Sequence, residues 1–214
     1  MTKIQKFSIF TLAVGAIYLL FSISTYYLAD VNYSYGLKYS KINDQQKAAG
    51  YFEKALKLRQ EPVYMDKFSA SLAYIAALAS MQNQVNVAKQ IANVADSYNQ
   101  KIIRDFPENV FAWKTRAKNM YYFYQITNKE TELLQGVDAL KRAQKLSPTD
   151  PKIPYSLALY YSTLYDGTKD ETEKQNWKEL SLKEIDAAIK LKSNYQEAHS
   201  FRKELIHKFL GSNV

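Results

Sequence analysis

At 214 residues, with no cysteine, two histidines and a net charge of +8, the chain has room for one domain or a short repeat array and no thiol chemistry. Disulfides, zinc–thiolate centres and cysteine nucleophiles are excluded. The basic excess is dispersed, which suits solubility and loose attraction to anionic surfaces. No nucleic-acid partner is expected.

The first predicted element is a membrane helix. After a short basic tail (residues 1–6) carrying Lys3 and Lys6, residues 7–29 run without a charge. At 1.5 Å per residue that stretch is about 35 Å long, enough to cross a hydrocarbon core of about 30 Å. Tyr26 and Tyr27 fall at its far end, where amphipathic rings suit an interface, and Asp30 closes the run. A cleaved secretory signal is the alternative, with Ser22 and Ser24 as a small-x-small site. The apolar run continues past that point, however, and an h-region is about 7–15 residues long. An uncleaved single-pass anchor is therefore expected. The basic residues nearest the run lie on its N-terminal side, which places the rest of the chain on the extracytoplasmic side.

From Asp30 onward the pattern is helical, rich in Ala, Leu, Lys, Glu and Gln with apolar residues three and four apart. Strand-like alternation is nowhere sustained. The five prolines are expected between helical stretches. Pro62, Pro107 and Pro148 are 45 and 41 residues apart, and a Ser-Asn-Tyr break at Ser193 follows another 45 on. A recurrence of that length in an all-helical chain means stacked helical hairpins. The units run about 31–62, 63–107, 108–148 and 149–193. Polar surplus near 127–132 and 166–176 is expected as extended helix ends or loops. Residues 195–210 form one more amphipathic helix, suited to cap the last apolar face.

The details resemble the tetratricopeptide repeat (TPR), whose order is W-x2-L-G-x2-Y, then A-x3-F, then A and P. In the first unit Tyr35-Gly36 and Tyr39 match the first half, Ala48, Phe52 and Ala55 match the second, and Asn43-Asp44 turns between them. The second unit is the most degenerate, with Leu72-Ala73 and an Ala-rich helix near Val85 to Asp105. The third has Trp113, Ala117 in the glycine place, then Ala143 and Pro148. The fourth has Leu157-Ala158, Tyr161, Ile185 and Ala188. The resemblance covers about 31–210 and implies an all-α fold: a transmembrane helix, a TPR-like α-solenoid of about four hairpins and a capping helix.

A narrower resemblance is to the C-terminal TPR tail of bacterial O-antigen-ligase-like membrane proteins. It rests on Tyr-Gly-Leu-Lys-Tyr at 35–39, Phe-Glu-Lys-Ala-Leu-Lys-Leu-Arg at 52–59, Val-Phe-Ala-Trp-Lys-Thr-Arg at 110–116 and Leu-Ser-Pro-Thr-Asp at 146–150. Those relatives are polytopic glycan ligases or polymerases. By that resemblance the chain is a C-terminal part or a split relative with a polytopic partner, and no catalytic residue carries over.

Little in the sequence marks it for catalysis. There is no P-loop, GxGxxG, GxSxG, HExxH or DxDxDG sequence, and the paired acids lie among lysines as solvated charge. His199 and His207 stand about 80° apart around a helix and two turns apart along it, a poor metal pair. Neither catalysis, a metal nor a cofactor is expected. Binding is better motivated, because the TPR resemblance implies that the first helix of each pair lines a groove for a protein or peptide. By that placement the groove residues are Tyr33, Leu37 and Lys41 in the first unit and Tyr74 in the second. Lys114, Lys118, Tyr121 and Tyr122 follow in the third, and Tyr155 and Leu159 in the fourth. Lysines beside tyrosines suit extended peptides with acidic and apolar groups, or glycans stacked on the rings. Lys118 stands where the family's carboxylate clamp wants asparagine, so the binding of C-terminal chaperone tails is not implied.

Overall fold

Thr2 opens the first helix with a capping box: its hydroxyl accepts from the Gln5 N–H at 3.3 Å, while the Gln5 side chain accepts from the Thr2 N–H at 2.9 Å. The computed structural model describes residues 2–210; Met1, the first residue of the expected basic tail, lies outside them. Among the described residues there are nine helices and no strand. They are α1 (Lys3–Lys41), α2 (Gln45–Leu58), α3 (Pro62–Met81), α4 (Val85–Asp105), α5 (Val110–Thr127), α6 (Glu130–Leu146), α7 (Lys152–Gly167), α8 (Glu171–Leu191) and α9 (Gln196–Leu210).

The apolar stretch and the first repeat helix are one unbroken helix of 39 residues. Asp30 ends the uncharged run but not the helix, because no proline or glycine stands there and Asn32 spends its side chain on the Leu28 carbonyl at 2.7 Å. The large apolar side chains from Ile4 to Leu28 are all exposed, and Ala29 is the first buried residue. α1 is long and apolar enough to cross a membrane.

Three of the hairpin turns use an asparagine in the left-handed region: Asn43 between α1 and α2, Asn83 between α3 and α4, and Asn128 between α5 and α6. Asparagine tolerates that conformation better than other residues with a Cβ, because its short amide bonds locally. Asp44, Asn109 and Asp170 then cap the N-termini of α2, α5 and α8 with their side chains. The prolines correct one expectation. Pro107, Pro148 and Pro151 do lie between helices, but Pro62 is the first residue of α3 and Pro154 sits in the first turn of α7. The missing N–H is harmless in both places, since a first turn has no internal acceptor for it. The polar surplus at 166–176 is mostly helix, with α8 beginning at Glu171.

The chain divides into two compact units, Met1–Leu72 and Ala73–Val214, with the boundary inside α3. In the first, α2 runs antiparallel to α1 in a fixed register. Gln45 bonds the Ser40 carbonyl at 3.3 Å, Tyr51 stacks on Tyr35 and Tyr39, Phe52 lies against Gly36 and Tyr33, and Arg59 reaches Tyr26. A Cβ at position 36 would run into the Phe52 ring, so glycine is what lets the two helices close. Phe52 is fully buried, worth roughly 1.5–3 kcal/mol of transfer free energy. The first half of α3 is tied to this hairpin at two points: Tyr64 donates to Asp30 on α1, and Ser71 donates to Gln45 at the start of α2 at 3.0 Å.

The second unit packs successive helices in sequence. Asn99 on α4 donates to the Ala112 carbonyl on α5 at 3.2 Å, and Arg116 bridges Asp96 on α4 and Gln135 on α6. Ala117, Leu133, Val137, Leu140, Ala143, Ile153, Leu157, Tyr161 and Leu164 form one apolar cluster across α5, α6 and α7. Within it Tyr160 presses against Gly136 and gives its hydroxyl to the Ala117 carbonyl. A second cluster joins Ala158, Ile185, Ala188, Ala198 and Leu205 across α7, α8 and α9. α9 is clamped polarly as well: Lys208 Nζ reaches Asp166 at 2.7 Å and Ser162 Oγ at 2.8 Å, and Arg202 pairs with Asp186 at 2.6 Å.

Candidate partner-binding face

α5 is where the expected groove residues converge. Its start is fixed twice: the Asn109 side chain caps the Ala112 N–H, and Trp113 Nε1 donates to the Pro107 carbonyl at 2.7 Å. Lys114, Lys118, Tyr121 and Tyr122 then fall within about 100° of one another around the helix axis. Lys118 is exposed, and its ammonium stands 5.7 Å from the centre of the Tyr122 ring one turn on. Tyr122 meets the edge of Tyr74 from the second half of α3, with centroids 5.7 Å apart at 82°. Burial raises the Tyr122 phenol, and its tyrosine neighbours add to that, so it stays a neutral hydrogen-bond donor. Tyr121 is more exposed and rests edge-on against Tyr160 at 6.0 Å. These four residues, Tyr74, Lys118, Tyr121 and Tyr122, make a real cluster.

Lys114 has another task. Its ammonium bonds Asp150 in the connection before α7 at 2.7 Å, with both side chains largely covered. Burial pushes the Asp150 carboxyl up. The bonds from Lys114 and the Lys152 N–H, with the charge of both lysines, outweigh it and hold the carboxyl below its ordinary value.

The remaining residues are less groove-like. Tyr33 is turned into the first unit, 5.7 Å from Phe52 and 4.9 Å from Tyr64, and burial raises its phenol, with Asp66 and Asp30 adding to the effect. Tyr155 packs on Tyr195 and Phe201 of the cap at 5.3 and 5.9 Å. Both are packing residues with a partly wet ring. Leu37 is half-buried, while Leu159 and Lys41 are exposed, Lys41 at the last position of α1.

Sequence reasoning missed a hollow on the other side of α5. Lys89, Asp96, Met120, Phe123, Glu132 and Gln135 are among the residues that line a cavity of about 210 Å³ between α4, α5 and α6. Its floor is apolar and its rim carries both signs of charge. Nothing in the spacing of any one helix marks it, because its lining is shared among three helices, four residues each from α4 and α5 and two from α6. His199 lends its Nε2 to the Ser193 carbonyl at 2.7 Å, and no group of metal-ligating side chains occurs among the described residues.

No family model matches the sequence, and no curated protein matches it. In structure the chain is similar to a thermophilic TPR protein of Thermus thermophilus, with a TM-score of 0.64 at 15% identity over 86% of this chain and 84% of that one. The fold is TPR-like. At that identity the likeness speaks for the architecture and leaves the partner to be argued from the side chains.

Proposed function

We propose that this protein is a membrane-anchored TPR-like scaffold that holds a protein or peptide partner on the first helices of its hairpins, with α5 as the centre of the surface. The observation that carries the reading is the continuity of α1: a run of exposed apolar side chains passes without a break into the helix that packs on α2. Left in water, that run exposes far more contiguous apolar surface than a soluble monomer tolerates. A bilayer removes it, and the repeats are then carried directly on the anchor.

On the binding side, Tyr121 and Lys118 offer a ring and a charge on a rigid helix, which suits an extended segment bearing acidic and apolar groups. The test has two parts. Alkaline carbonate extraction should leave the chain in the membrane fraction; release would favour a cleaved, secreted form. A photo-crosslinking residue at Tyr121 should then capture a partner that the same residue at exposed Lys183 on α8 does not. Equal capture at both positions would remove α5 as the binding face.

The resemblance to O-antigen-ligase-like tails supplies a second reading, in which this domain serves a glycan ligase or polymerase. Exposed tyrosine faces next to lysines suit sugar rings as well as peptides. Unchanged surface-polysaccharide profiles in a deletion strain would count against it.

A further inference from the structure

The turn between α2 and α3 stands level with the place where the uncharged run of α1 ends. Arg59, in that turn, lays its guanidinium 3.0 Å from the centre of the Tyr26 ring, and Tyr64, in the first turn of α3, donates its hydroxyl to Asp30. Tyr26 belongs to the end of the run, and Asp30 is the first charge after it. α2 reaches this level because its antiparallel register brings it back along α1 from Lys41, which lies about 17 Å farther out along the axis.

Around the turn the side chains are of two kinds. Leu58 and Val63 are aliphatic and exposed, at 38% and 46%, and Tyr27 and Leu28 are exposed on the adjoining part of α1. Lys54, Lys57 and Arg59 are basic, against Glu53 and Glu61. The Lys57–Glu53 pair is open to water on both sides, so it is easily exchanged for another anion. Aliphatics beside lysine, arginine and tyrosine at the end of an apolar helix form the composition that settles at the headgroup level of a bilayer.

We propose that the α2–α3 turn is a bilayer-docking surface. Leu58 and Val63 enter the headgroup–acyl boundary of the leaflet from which α1 emerges, while Lys57 and Arg59 lie among its phosphates. The proposal rests on the reading of α1 as a membrane span and deepens it: the first unit leans on the membrane instead of standing away from it on a stalk. The occupant is lipid because the two contacts to α1 set the depth of the turn at the edge of the span itself.

The chain has no native cysteine, so single cysteines report unambiguously. Full-length Leu58→Cys, Val63→Cys, Lys41→Cys and Leu19→Cys would be labelled with an environment-sensitive fluorophore. Each would be reconstituted in vesicles of phosphatidylethanolamine and phosphatidylglycerol that carry nitroxide lipids at shallow or deep positions. All four side chains are half-buried at most, so the variants should keep native helicity by circular dichroism. The label at Leu19 should be quenched by deep nitroxides. Those at Leu58 and Val63 should shift to shorter wavelength and be quenched by shallow nitroxides, and that at Lys41 should do neither. Labels at Leu58 and Val63 that behave like the one at Lys41, with Leu19 still deep, would overturn the docking surface and leave the anchor standing. A blue shift without lipid quenching would mean that protein covers the turn, which also overturns it. An unquenched Leu19 would sink the anchor and this proposal together.

Discussion

Two glycines in different parts of the chain do the same work. Gly36 on α1 accepts the ring of Phe52, and Gly136 on α6 accepts the ring of Tyr160. In each case a helix gives up a side chain so that an aromatic from a neighbouring helix can press close against its backbone. The difference lies in what the aromatic does next. Phe52 is purely apolar and closes one hairpin, whereas Tyr160 passes over α6 and bonds the Ala117 carbonyl on α5, joining three helices. The first glycine secures a pair; the second secures the stacking of one pair on the next.

The largest expected effects come from removing the two rings. Phe52→Ala should cost about 3–5 kcal/mol, the usual range for emptying a buried aromatic site. Tyr160→Ala should cost at least as much, because it also removes the hydrogen bond to Ala117, worth about 0.5–1.5 kcal/mol. Hydrogen exchange on the full chain in detergent would locate the losses. Phe52→Ala should loosen α1 and α2, whereas Tyr160→Ala should loosen α5, α6 and α7. Loss of protection confined to α7 in the second variant would break the comparison, since it would make Tyr160 an ordinary core residue.

Next are the glycines themselves, where two effects oppose. Alanine in place of a helical glycine gains about 1 kcal/mol of helix propensity. Here the new methyl meets a ring held in place by buried neighbours, and overpacking of that kind costs about 1–3 kcal/mol. Destabilisation should win at Gly36 and Gly136, measured as a lower urea midpoint. Gly50, on the exposed side of α2 with nothing near its would-be Cβ, should gain stability from the same change. A stabilised Gly136→Ala would show that the Tyr160 ring has room to move.

Gly36 was legible in the sequence and Gly136 was not, for a physical reason. Gly36 occupies the glycine place of a repeat motif and is followed by Tyr39, so the reading needed only local order. Gly136 stands where the motif asks for nothing in particular. Its meaning comes from Tyr160, 24 residues later on another helix, and a single-sequence pattern carries no such pairing. Tyr33 and Tyr155 illustrate the same limit on the binding side. Both stand on helices, as the pattern leads one to expect, but which way each ring turns was decided by Phe52, Tyr64 and the residues of the cap. α4 and the α9 cap, by contrast, were readable almost residue for residue, because amphipathic period and flanking turns are local properties.

A smaller effect concerns the polar tie between α5 and the start of α7. The Asp150 carboxyl is held below its ordinary value, so the native state binds its proton less readily than the unfolded chain does. Its contribution is full above a pH of about 3.8, the unperturbed carboxylate value, and is lost as the pH falls through the lower native one. The pair is partly covered, so about 0.5–1 kcal/mol is the scale to expect. Lys114→Met should lower stability at neutral pH and flatten the acid limb of the stability profile. An unchanged acid limb would assign that limb to other carboxylates and leave Lys114 available to a partner.

The smallest effect on stability should accompany the largest effect on binding. Lys118 and Tyr121 stand at exposed positions on α5, Lys118 beside the Tyr122 ring and Tyr121 edge-on to Tyr160. Lys118→Ala with Tyr121→Ser should change the urea midpoint little, within about 0.5 kcal/mol per site for surface substitutions. If α5 is the partner face, the same double variant should abolish photo-crosslinking from a probe placed at Leu159, also exposed. A destabilised protein would instead mean that Tyr121 supports Tyr160 from above and belongs to the stacking apparatus. The two roles that the tyrosines of this chain divide between them, holding helices together and meeting a partner, would then fall on opposite sides of that one ring.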